Sequence, residues 1–320
     1  MRFRSAAKTP VAVLASLLTA AGSINRIDAK PTRAATEVVV AASAGTPERP
    51  VLDLTRADFE VLSDGAPVTV SAAAAGPGSV AVILLVDISL SIFPVDGVTW
   101  ASGGMRVRES IPPHVLPTLR PGDQIQIGVI GREITITPPL TPNRGVWERT
   151  FERLVNAPPE MRAGPSPIWD ATAAGITALA GATSHRRSVM VLTDGRATGN
   201  RLGVVDVLAR AIAANIVIDV VDEGRLLPPE VDPKRPPVRP DTLVQQLAEE
   251  SGGQYLVDGP ASIRKQPEPG PLVAALLTSL RCRYVLAIDA PVADGRLHRL
   301  DVRVKRPGVS VRAPRAYFGK

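Results

Sequence analysis

The sequence predicts an α/β protein whose main domain is a doubly wound, mostly parallel β-sheet with helices on both faces. Three observations support this fold class. Strand-length runs such as VAVILLV at 80–86 are apolar throughout, which is typical of strands buried on both faces of a parallel sheet. Segments with helical periodicity lie between these runs and would form the crossover connections. Both ends of the chain show alternating strands instead, which predict a small antiparallel β subdomain.

A secretory signal peptide is expected at residues 1–22, followed by a polar linker at 23–35. Three basic residues precede the apolar run PVAVLASLLTAAG, which is too short to cross a bilayer comfortably. The alternative is an N-terminal helix that is amphipathic or belongs to the core. No cysteine follows the run, so a lipoprotein anchor is not expected. We therefore expect an exported protein, periplasmic or secreted, with no transmembrane segment in the mature chain.

The charge and cysteine content narrow the functional classes. The formal net charge of the 320 residues is +6, and removing residues 1–22 takes away Arg2, Arg4 and Lys8, which leaves +3. Arginines are scattered and are not interleaved with aromatic residues, so we do not expect nucleic-acid binding. The single cysteine, Cys282, cannot form an intrachain disulfide, and we interpret it as a small buried residue at a helix–strand junction.

The N-terminal β segment is assigned to 36–75 and the main domain to 76–260. The first contains a strand at 37–42 and a hairpin at 59–70 with its turn at 63–65, preceded by a possible single helical turn at 54–61. In the main domain, strands are predicted at 80–86, 124–130, 133–137, 188–193, 216–221 and 254–257, of which 133–137 alternates as an edge or antiparallel strand would. Helices are predicted at 145–155, 167–180, 202–214 and 241–250.

The remaining segment, 261–320, combines a helix with a second β region. The helix is predicted at 271–280, and strands at 284–290, 297–304 and 309–312. Neither terminal segment has enough strands for a core of its own. We hypothesise that 36–75 pairs with the C-terminal segment in one small β-sandwich into which the main domain is inserted. The alternative is that each segment packs separately against the main domain.

Oxygen-bearing side chains follow the ends of two predicted parallel strands. Asp87 comes directly after the strand at 80–86, and Ser89 and Ser91 follow at alternate positions. Asp194 follows the strand at 188–193, and Ser166 lies in a loop before a predicted helix. Ligands of open parallel sheets bind beyond the carboxyl ends of the strands. Hydroxyl and carboxylate oxygens are the ligands that hard divalent cations prefer, so the pattern predicts a metal site.

This pattern resembles the metal-ion-dependent adhesion site of von Willebrand factor type A (VWA) domains. The resemblance consists of D-x-S-x-S after an apolar strand, a hydroxyl-bearing loop before a helix, and an apolar strand that ends in T-D-G. The segment PIWDA at 167–171 is similar to the T-x-L-Y-D-A stretch of that family. Segments 52–65, 119–123 and 294–318 also resemble the exported VWA-related proteins described from acidobacteria, so the likeness spans nearly the whole mature chain.

The resemblance implies a role for each residue of the pattern. Ser89 and Ser91 would bind the cation directly through their hydroxyls, and Ser166 would do so in the ligand-engaged state. Asp87 and Asp194 would act mainly through water and hydrogen bonds. The cation would be Mg²⁺, or Ca²⁺ or Mn²⁺, because serine hydroxyls and water suit several divalent ions. An Asp or Glu carboxylate of a protein partner would complete the coordination.

The sequence departs from the family pattern within the same loops. Leu90 stands where glycine is common, Ile92 stands where a small residue or methionine is common, and Ser166 replaces the usual threonine between two prolines. The alternative interpretation is a degenerate site, in which the acid and serines of the first loop only hydrogen-bond the backbone.

Catalysis is not expected from this sequence. None of His114, His185 and His298 follows a nucleophile-elbow pattern, and there is no Gly-rich phosphate loop or zinc-ligand spacing, so each histidine is interpreted as a surface or structural residue. We predict a non-enzymatic binding module that recognises a protein partner through its cation. The alternative is a structural or assembly component of the cell envelope with a vestigial metal site.

Three further acids have structural interpretations. Asp170 is expected to cap or orient the helix that follows Ser166. Asp219 is expected to face a crossover, and Asp222 to cap the next turn. An additional role of either in the metal site is the minor alternative.

Overall fold

The computed structural model describes residues 35–46, 48–76, 78–89, 103–140, 143–155, 159–222, 242–257, 268–289 and 294–319. The predicted signal peptide, all but the last residue of the predicted linker, and Ser91 with its neighbours 90 and 92–102 lie outside these ranges. Among the helices within them, none is both long and apolar enough to cross a membrane.

The described residues form fifteen strands and seven α-helices. The strands are β1 (Ala35–Ala44), β2 (Arg49–Pro50), β3 (Phe59–Ser63), β4 (Ala66–Val68), β5 (Val70–Ala74), β6 (Val80–Asp87), β7 (Gln124–Ile130), β8 (Thr135–Ile136), β9 (Arg186–Thr193), β10 (Val217–Asp222), β11 (Tyr255–Val257), β12 (Tyr284–Asp289), β13 (Leu297–Val304), β14 (Val309–Arg312) and β15 (Ala316–Phe318). The helices are α1 (Gly103–Val115), α2 (Arg144–Val155), α3 (Pro159–Arg162), α4 (Ile168–Leu179), α5 (Val204–Ala214), α6 (Thr242–Glu250) and α7 (Pro269–Arg281), with 3₁₀ turns at Arg56–Asp58 and Leu116–Thr118.

The main sheet confirms the predicted α/β class. Its six strands lie in the order β11-β10-β9-β6-β7-β8. All neighbouring pairs are parallel except β7 and β8, which are antiparallel, as the alternation at 133–137 predicts. β6 is flanked by parallel strands on both sides and is buried along its whole length, which explains its uninterrupted apolar sequence.

Helices pack against the sheet in two separate apolar cores. Successive residues of a strand point to opposite faces, so Val82, Leu84 and Val86 of β6 enter one core, with side chains from α1, α2 and α7. The intervening residues Ile83 and Leu85 enter the other core, with side chains from α4, α5 and α6. The burial of β6 on both faces is therefore a consequence of the helices that follow it in the chain.

Strands from the two ends of the chain pair with one another. β1 runs antiparallel to β12, and β3 runs antiparallel to β13. One antiparallel sheet has the order β14-β1-β12-β5, with β2 also on β1, and the other has the order β15-β13-β3-β4. Their side chains share a single apolar core that includes Val40, Phe59, Tyr284, Leu300 and Tyr317. The ring of Phe59 meets that of Tyr284 edge to face at 5.2 Å.

Helix α1 was not predicted from the sequence. Pro112 and Pro113 lie inside it, and proline normally disfavours a helix interior because it lacks an N–H donor. Val107, Ile111 and Val115 recur at four-residue spacing and are fully buried against the sheet. Burial of this apolar stripe stabilises the helix despite the local signal against it.

The prediction for Cys282 is right about the helix–strand junction but wrong about burial, since Cys282 is only half-buried at the C-cap of α7.

A buried arginine directly before β12 connects the antiparallel region to β10 and to the turn before β11. Arg283 is fully buried, and its Nη1 donates to the carbonyl oxygen of Gly252 at 2.6 Å. Its Nη2 lies 3.5 Å from Oδ1 of Asp219 on β10. Asp219 also accepts hydrogen bonds from the Ser188 hydroxyl at 2.7 Å and the Gln254 N–H at 2.8 Å. The expectation that Asp219 faces a crossover is therefore wrong, because the acid is enclosed by neighbouring strands and by Arg283.

Candidate metal centre

Asp87 lies at the carboxyl end of the central strand β6 and is completely buried. Its Oδ1 accepts the backbone N–H of Ser89 at 2.9 Å. Its Oδ2 accepts the hydroxyl of Ser166 at 2.7 Å and the hydroxyl of Thr193 at 2.8 Å. The Ser89 side chain also hydrogen-bonds this carboxylate. Three segments that are distant in sequence therefore meet at one carboxyl group.

Burial and hydrogen bonding act on the Asp87 carboxyl in opposite directions. Removal from water raises its pKa, because the charged form loses its hydration. Hydrogen bonds from Ser89, Ser166 and Thr193 favour the ionised form and only partly offset that effect, so the pKa stays raised. A positive charge bound beside Asp87 would compensate for the remaining cost of ionisation.

Thr193 was not assigned to the site from the sequence, although it belongs to the T-D-G motif. It is the last residue of β9, and the parallel register pairs its neighbour Leu192 with Val86. Thr193 therefore lies beside Asp87 across the sheet. Its Oγ1 donates to Asp87 and accepts the Gly195 N–H at 3.1 Å, so one hydroxyl both fixes the acid and starts the next turn. The register of β6 and β9, had it been predicted, would have identified Thr193.

Asp194 lies one residue beyond Thr193 at the same edge of the sheet. Its side chain is 4% exposed, and its Oδ2 lies 3.8 Å from Nε of Arg196. Its Oδ1 accepts the Arg196 N–H at 3.1 Å. Together with burial, its negative charge raises the pKa of Asp222 at the end of β10, which also accepts a hydrogen bond from the Tyr255 hydroxyl. Asp222 thus pairs with a side chain of β11, and the turn that it is expected to cap lies outside the described residues.

The side chains of Asp170 and Asn200 connect the first turn of α4 to the loop after β9. Asp170 accepts the backbone N–H groups of Arg201 at 3.2 Å and Leu202 at 2.9 Å. Asn200 in return accepts the N–H of Trp169 at 2.7 Å, in the first turn of α4. Of the two roles expected for Asp170, capping or orienting the helix, these contacts agree with the second. Asp170 fastens the start of α4 to the loop that follows β9.

The side chains around Asp87 fit a hard cation better than a soft one. The site contains one carboxylate and the hydroxyls of Ser89, Ser166 and Thr193, all of which are oxygen donors. A hydroxyl that donates its hydrogen to Asp87 retains two lone pairs that can face a metal ion. Among the residues that the structure describes, no group of three or more His, Cys, Asp or Glu could hold a metal. A cation here would therefore be bound by hydroxyls and water rather than by several carboxylates.

The structure thus brings together three of the five predicted ligands around one point. Ser89 and Ser166 both hydrogen-bond the carboxylate of Asp87. Asp194 adjoins the cluster through Thr193 and is held by Arg196. Ser91 lies outside the described residues.

Two histidines have structural partners away from this site. His114 Nδ1 lies 2.7 Å from the Ser110 carbonyl oxygen within α1. His185 Nδ1 lies 2.7 Å from the Glu37 carboxylate. Neither contact involves the residues around Asp87.

The third histidine bridges two turns of the antiparallel region. His298 Nδ1 lies 2.7 Å from Oδ2 of Asp64, and its Nε2 lies 3.0 Å from Oδ1 of Asp294. Hydrogen bonds to Asp294, which has the larger effect, and to Asp64 raise the pKa of His298. The histidine in turn lowers the pKa of each acid. The ring also stacks on Tyr317 at 5.3 Å. His298 is therefore a cross-link between a hairpin turn and the start of β13.

Comparison with known proteins gives likenesses of fold only. No family model matches the chain, and no curated protein matches it. Solved structures with a similar fold include BatB of Bacteroides thetaiotaomicron, at 18% identity and a TM-score of 0.47, over 63% of this chain and 98% of that chain. A von Willebrand factor type A protein from Catenulispora acidiphila is similar at 12% identity and a TM-score of 0.45, over 87% and 72% of the two chains.

A third similar structure carries a metal. It is proximal thread matrix protein 1 from the mussel byssus with a zinc-occupied MIDAS motif, at 11% identity and a TM-score of 0.43, over 67% of this chain and 48% of that chain. The solved structures that resemble this chain thus include VWA domain proteins. The α/β fold described above rests on the strand order and register of this chain itself.

Proposed function

We propose that this chain is an exported, non-enzymatic binding module with a doubly wound VWA-like domain. It holds a divalent cation, Mg²⁺ or alternatively Ca²⁺ or Mn²⁺, at Asp87 and recognises a carboxylate of a protein partner through it. One observation carries the proposal: a carboxylate with no solvent exposure is surrounded by hydroxyls of Ser89, Ser166 and Thr193 at the carboxyl edge of the sheet. Ligand sites of open α/β sheets occur at this edge.

Asp87 and the hydroxyls have different roles in binding the ion. Asp87 accepts the hydrogens of Ser166 and Thr193, which turns the lone pairs of these hydroxyls away from the acid. Few carboxylates face the site, so the positive charge is not fully neutralised by the chain itself. When bound, the cation supplies that charge and an open coordination position for an Asp or Glu of the partner.

Charges on the loop after β9 support an acidic partner. The side chain of Arg201 is 90% exposed, and that of Arg196 is 49% exposed. Both belong to the loop that follows β9, where Arg196 lies beside Asp194 and Arg201 beside Asp170. Exposed positive groups beside the site would steer an acidic surface toward it, with an effect that falls as salt concentration rises.

A second candidate function is a structural or assembly component of the cell envelope in which the metal site is vestigial. The hydrogen bonds inside the site favour this alternative to a degree. Asp194 is held by Arg196, and the Asp87 carboxylate accepts four donors of the chain: the Ser89 N–H and the hydroxyls of Ser89, Ser166 and Thr193. Export in either case is proposed from the sequence of residues 1–22.

Thermal melting in a Mg²⁺ titration separates the two candidates. Binding to the folded state at about 100 times Kd adds about 2.7 kcal/mol of stability. For a domain of this size that is a rise in Tm of about 5–11 °C. The rise should disappear in Asp87→Asn and persist in Asp301→Asn, which changes an exposed acid that pairs with Arg303 in the antiparallel region. A wild-type Tm that ignores Mg²⁺, Ca²⁺ and Mn²⁺ alike would favour the structural role.

A further inference from the structure

The loop after β9, residues 195–202, forms two reciprocal pairs of hydrogen bonds with the Ser166 loop. In the first, the Ser166 N–H donates to Oγ1 of Thr198 at 2.9 Å, and the Thr198 N–H donates to the Ser166 carbonyl oxygen at 2.8 Å. In the second, Asn200 accepts from Trp169 while Asp170 accepts from Leu202. We call the loop 195–202 the latch loop.

The sequence around Ser166 makes it dependent on the latch loop. Pro165 and Pro167 flank it and have no N–H group, so the Ser166 amide is the only backbone donor of the three residues. That donor is used on Thr198. Serine also lacks the methyl group that restricts the rotamer of threonine, so its hydroxyl needs another source of order.

Helix α4, which follows Ser166, is also held by the latch loop. Its N-cap residue, Pro167, makes no side-chain cap, and the Oδ1 of Asn200 supplies one from a different part of the chain. Gly199 has a left-handed φ of 68°, and a Cβ there would lie 2.4 Å from Cβ of Pro165. The ring of Pro165 therefore packs directly against the backbone of Gly199 in the latch loop.

We propose that Thr198 and Asn200 are positioning residues for the metal site. They act through Ser166: by fixing its backbone on both sides, they keep its hydroxyl 2.7 Å from Asp87 and its lone pairs toward the ion. This inference rests on the proposed function, because it concerns the affinity of that site for its cation. Residues that orient a metal ligand typically change metal affinity by about 10–100-fold when they are replaced.

The test compares variants of the full chain by titration calorimetry with MgCl₂. Thr198→Val removes the acceptor of the Ser166 N–H, whereas Thr198→Ser keeps it. Thr177→Val is the matched control, because its hydroxyl bonds the Ala173 carbonyl near the other end of α4. We expect Thr198→Val to raise the Kd for Mg²⁺ about tenfold or more, and the other two to leave it within about threefold of wild type.

A readout without metal accompanies the calorimetry. Hydrogen exchange of peptides covering residues 165–170, measured in EDTA, should be faster in Thr198→Val and unchanged in Thr177→Val. Thr198 is exposed, so its variants are expected to fold. Should Thr198→Val fail to fold, Asn200→Ala carries the same test through the cap of α4, with the same expected weakening of Mg²⁺ binding.

The outcomes distinguish the inference from the proposed function. Wild-type protein that binds none of Mg²⁺, Ca²⁺ and Mn²⁺ overturns the proposed function, and the positioning role with it. Wild-type protein that binds Mg²⁺ together with a folded Thr198→Val of unchanged affinity overturns the positioning role alone. So does a Thr198→Ser variant as weak as Thr198→Val, because the retained hydroxyl would then be irrelevant.

Discussion

Replacing Arg283 with methionine tests whether a buried ion pair holds the main sheet to the antiparallel region. Arg283 is fully buried and Asp219 is 1% exposed, so methionine fills part of the volume but leaves the acid without its cation. Removing one partner of a buried ion pair typically costs about 3–5 kcal/mol. We expect a cost at the lower end of this range, because the distance of 3.5 Å between Nη2 and Oδ1 is long and Asp219 keeps hydrogen bonds from Ser188 and Gln254.

The loss of the donor to the Gly252 carbonyl oxygen adds a further cost. An unmade hydrogen bond to a buried group costs about 1–3 kcal/mol. We therefore expect Arg283→Met to lower the free energy of unfolding by about 4 kcal/mol. Urea unfolding followed by circular dichroism measures this as a lower midpoint with an unchanged slope.

Two further variants serve as controls for the buried ion pair. Arg303→Met breaks an exposed pair with Asp301 and should leave the urea midpoint close to the wild-type value. Adding Asp219→Asn to Arg283→Met should recover part of the loss, because it removes the uncompensated buried charge. Two results would show that Asp219 is not the buried charge described here. One is a loss of less than about 1 kcal/mol in Arg283→Met. The other is a double variant whose loss of stability equals the sum of the losses in Arg283→Met and Asp219→Asn alone.

Three other predictions concern single sites. Asp87→Asn should raise the Tm measured in EDTA by scanning fluorimetry. Burial raises the pKa of Asp87, whereas a neutral amide has no ionisation cost. A Tm below that of the wild type would contradict this reasoning. The pKa of His298 is raised by its two carboxylate partners, so its contribution to stability is complete below pH about 6.5 and is lost as the pH rises through the folded value. His298→Gln should flatten that alkaline decline in urea midpoints measured from pH 6 to 9, and an unaltered profile would exclude the role. Gly253→Ala should cost about 3 kcal/mol or more, since its Cβ would lie 1.9 Å from the Ile218 carbonyl oxygen, and a wild-type midpoint would disprove the close approach.

Elements with a strong local pattern were predicted closely. The bounds of β7, β13 and β14 agree with the predicted strands, and α2, α5 and α6 begin within two residues of the prediction. Each of these segments has regular apolar spacing and a turn or breaker residue at its end, so local physics suffices to define it. Helix α1 was missed because its two prolines oppose a helix locally, while only contact with the sheet makes burial of its apolar stripe favourable.

The candidate site divides in the same way. The motif residues Asp87, Ser89 and Ser166 were identified from their order along the chain, and the structure places them in contact. Thr193, Thr198 and Asn200 were not assigned, because their contacts join strands and loops that are distant in sequence. No spacing within one segment encodes a contact of that kind.

The sequence by itself determined the α/β class, the positions of most strands and helices, and the presence of oxygen donors at the ends of two strands. It did so because periodicity and turn chemistry act over a few neighbouring residues. Only the tertiary structure decided which acids are paired, which hydroxyls reach Asp87, and how Arg283 meets Asp219. Those outcomes depend on strand register and on removal from water, and both exist only once distant segments have packed together.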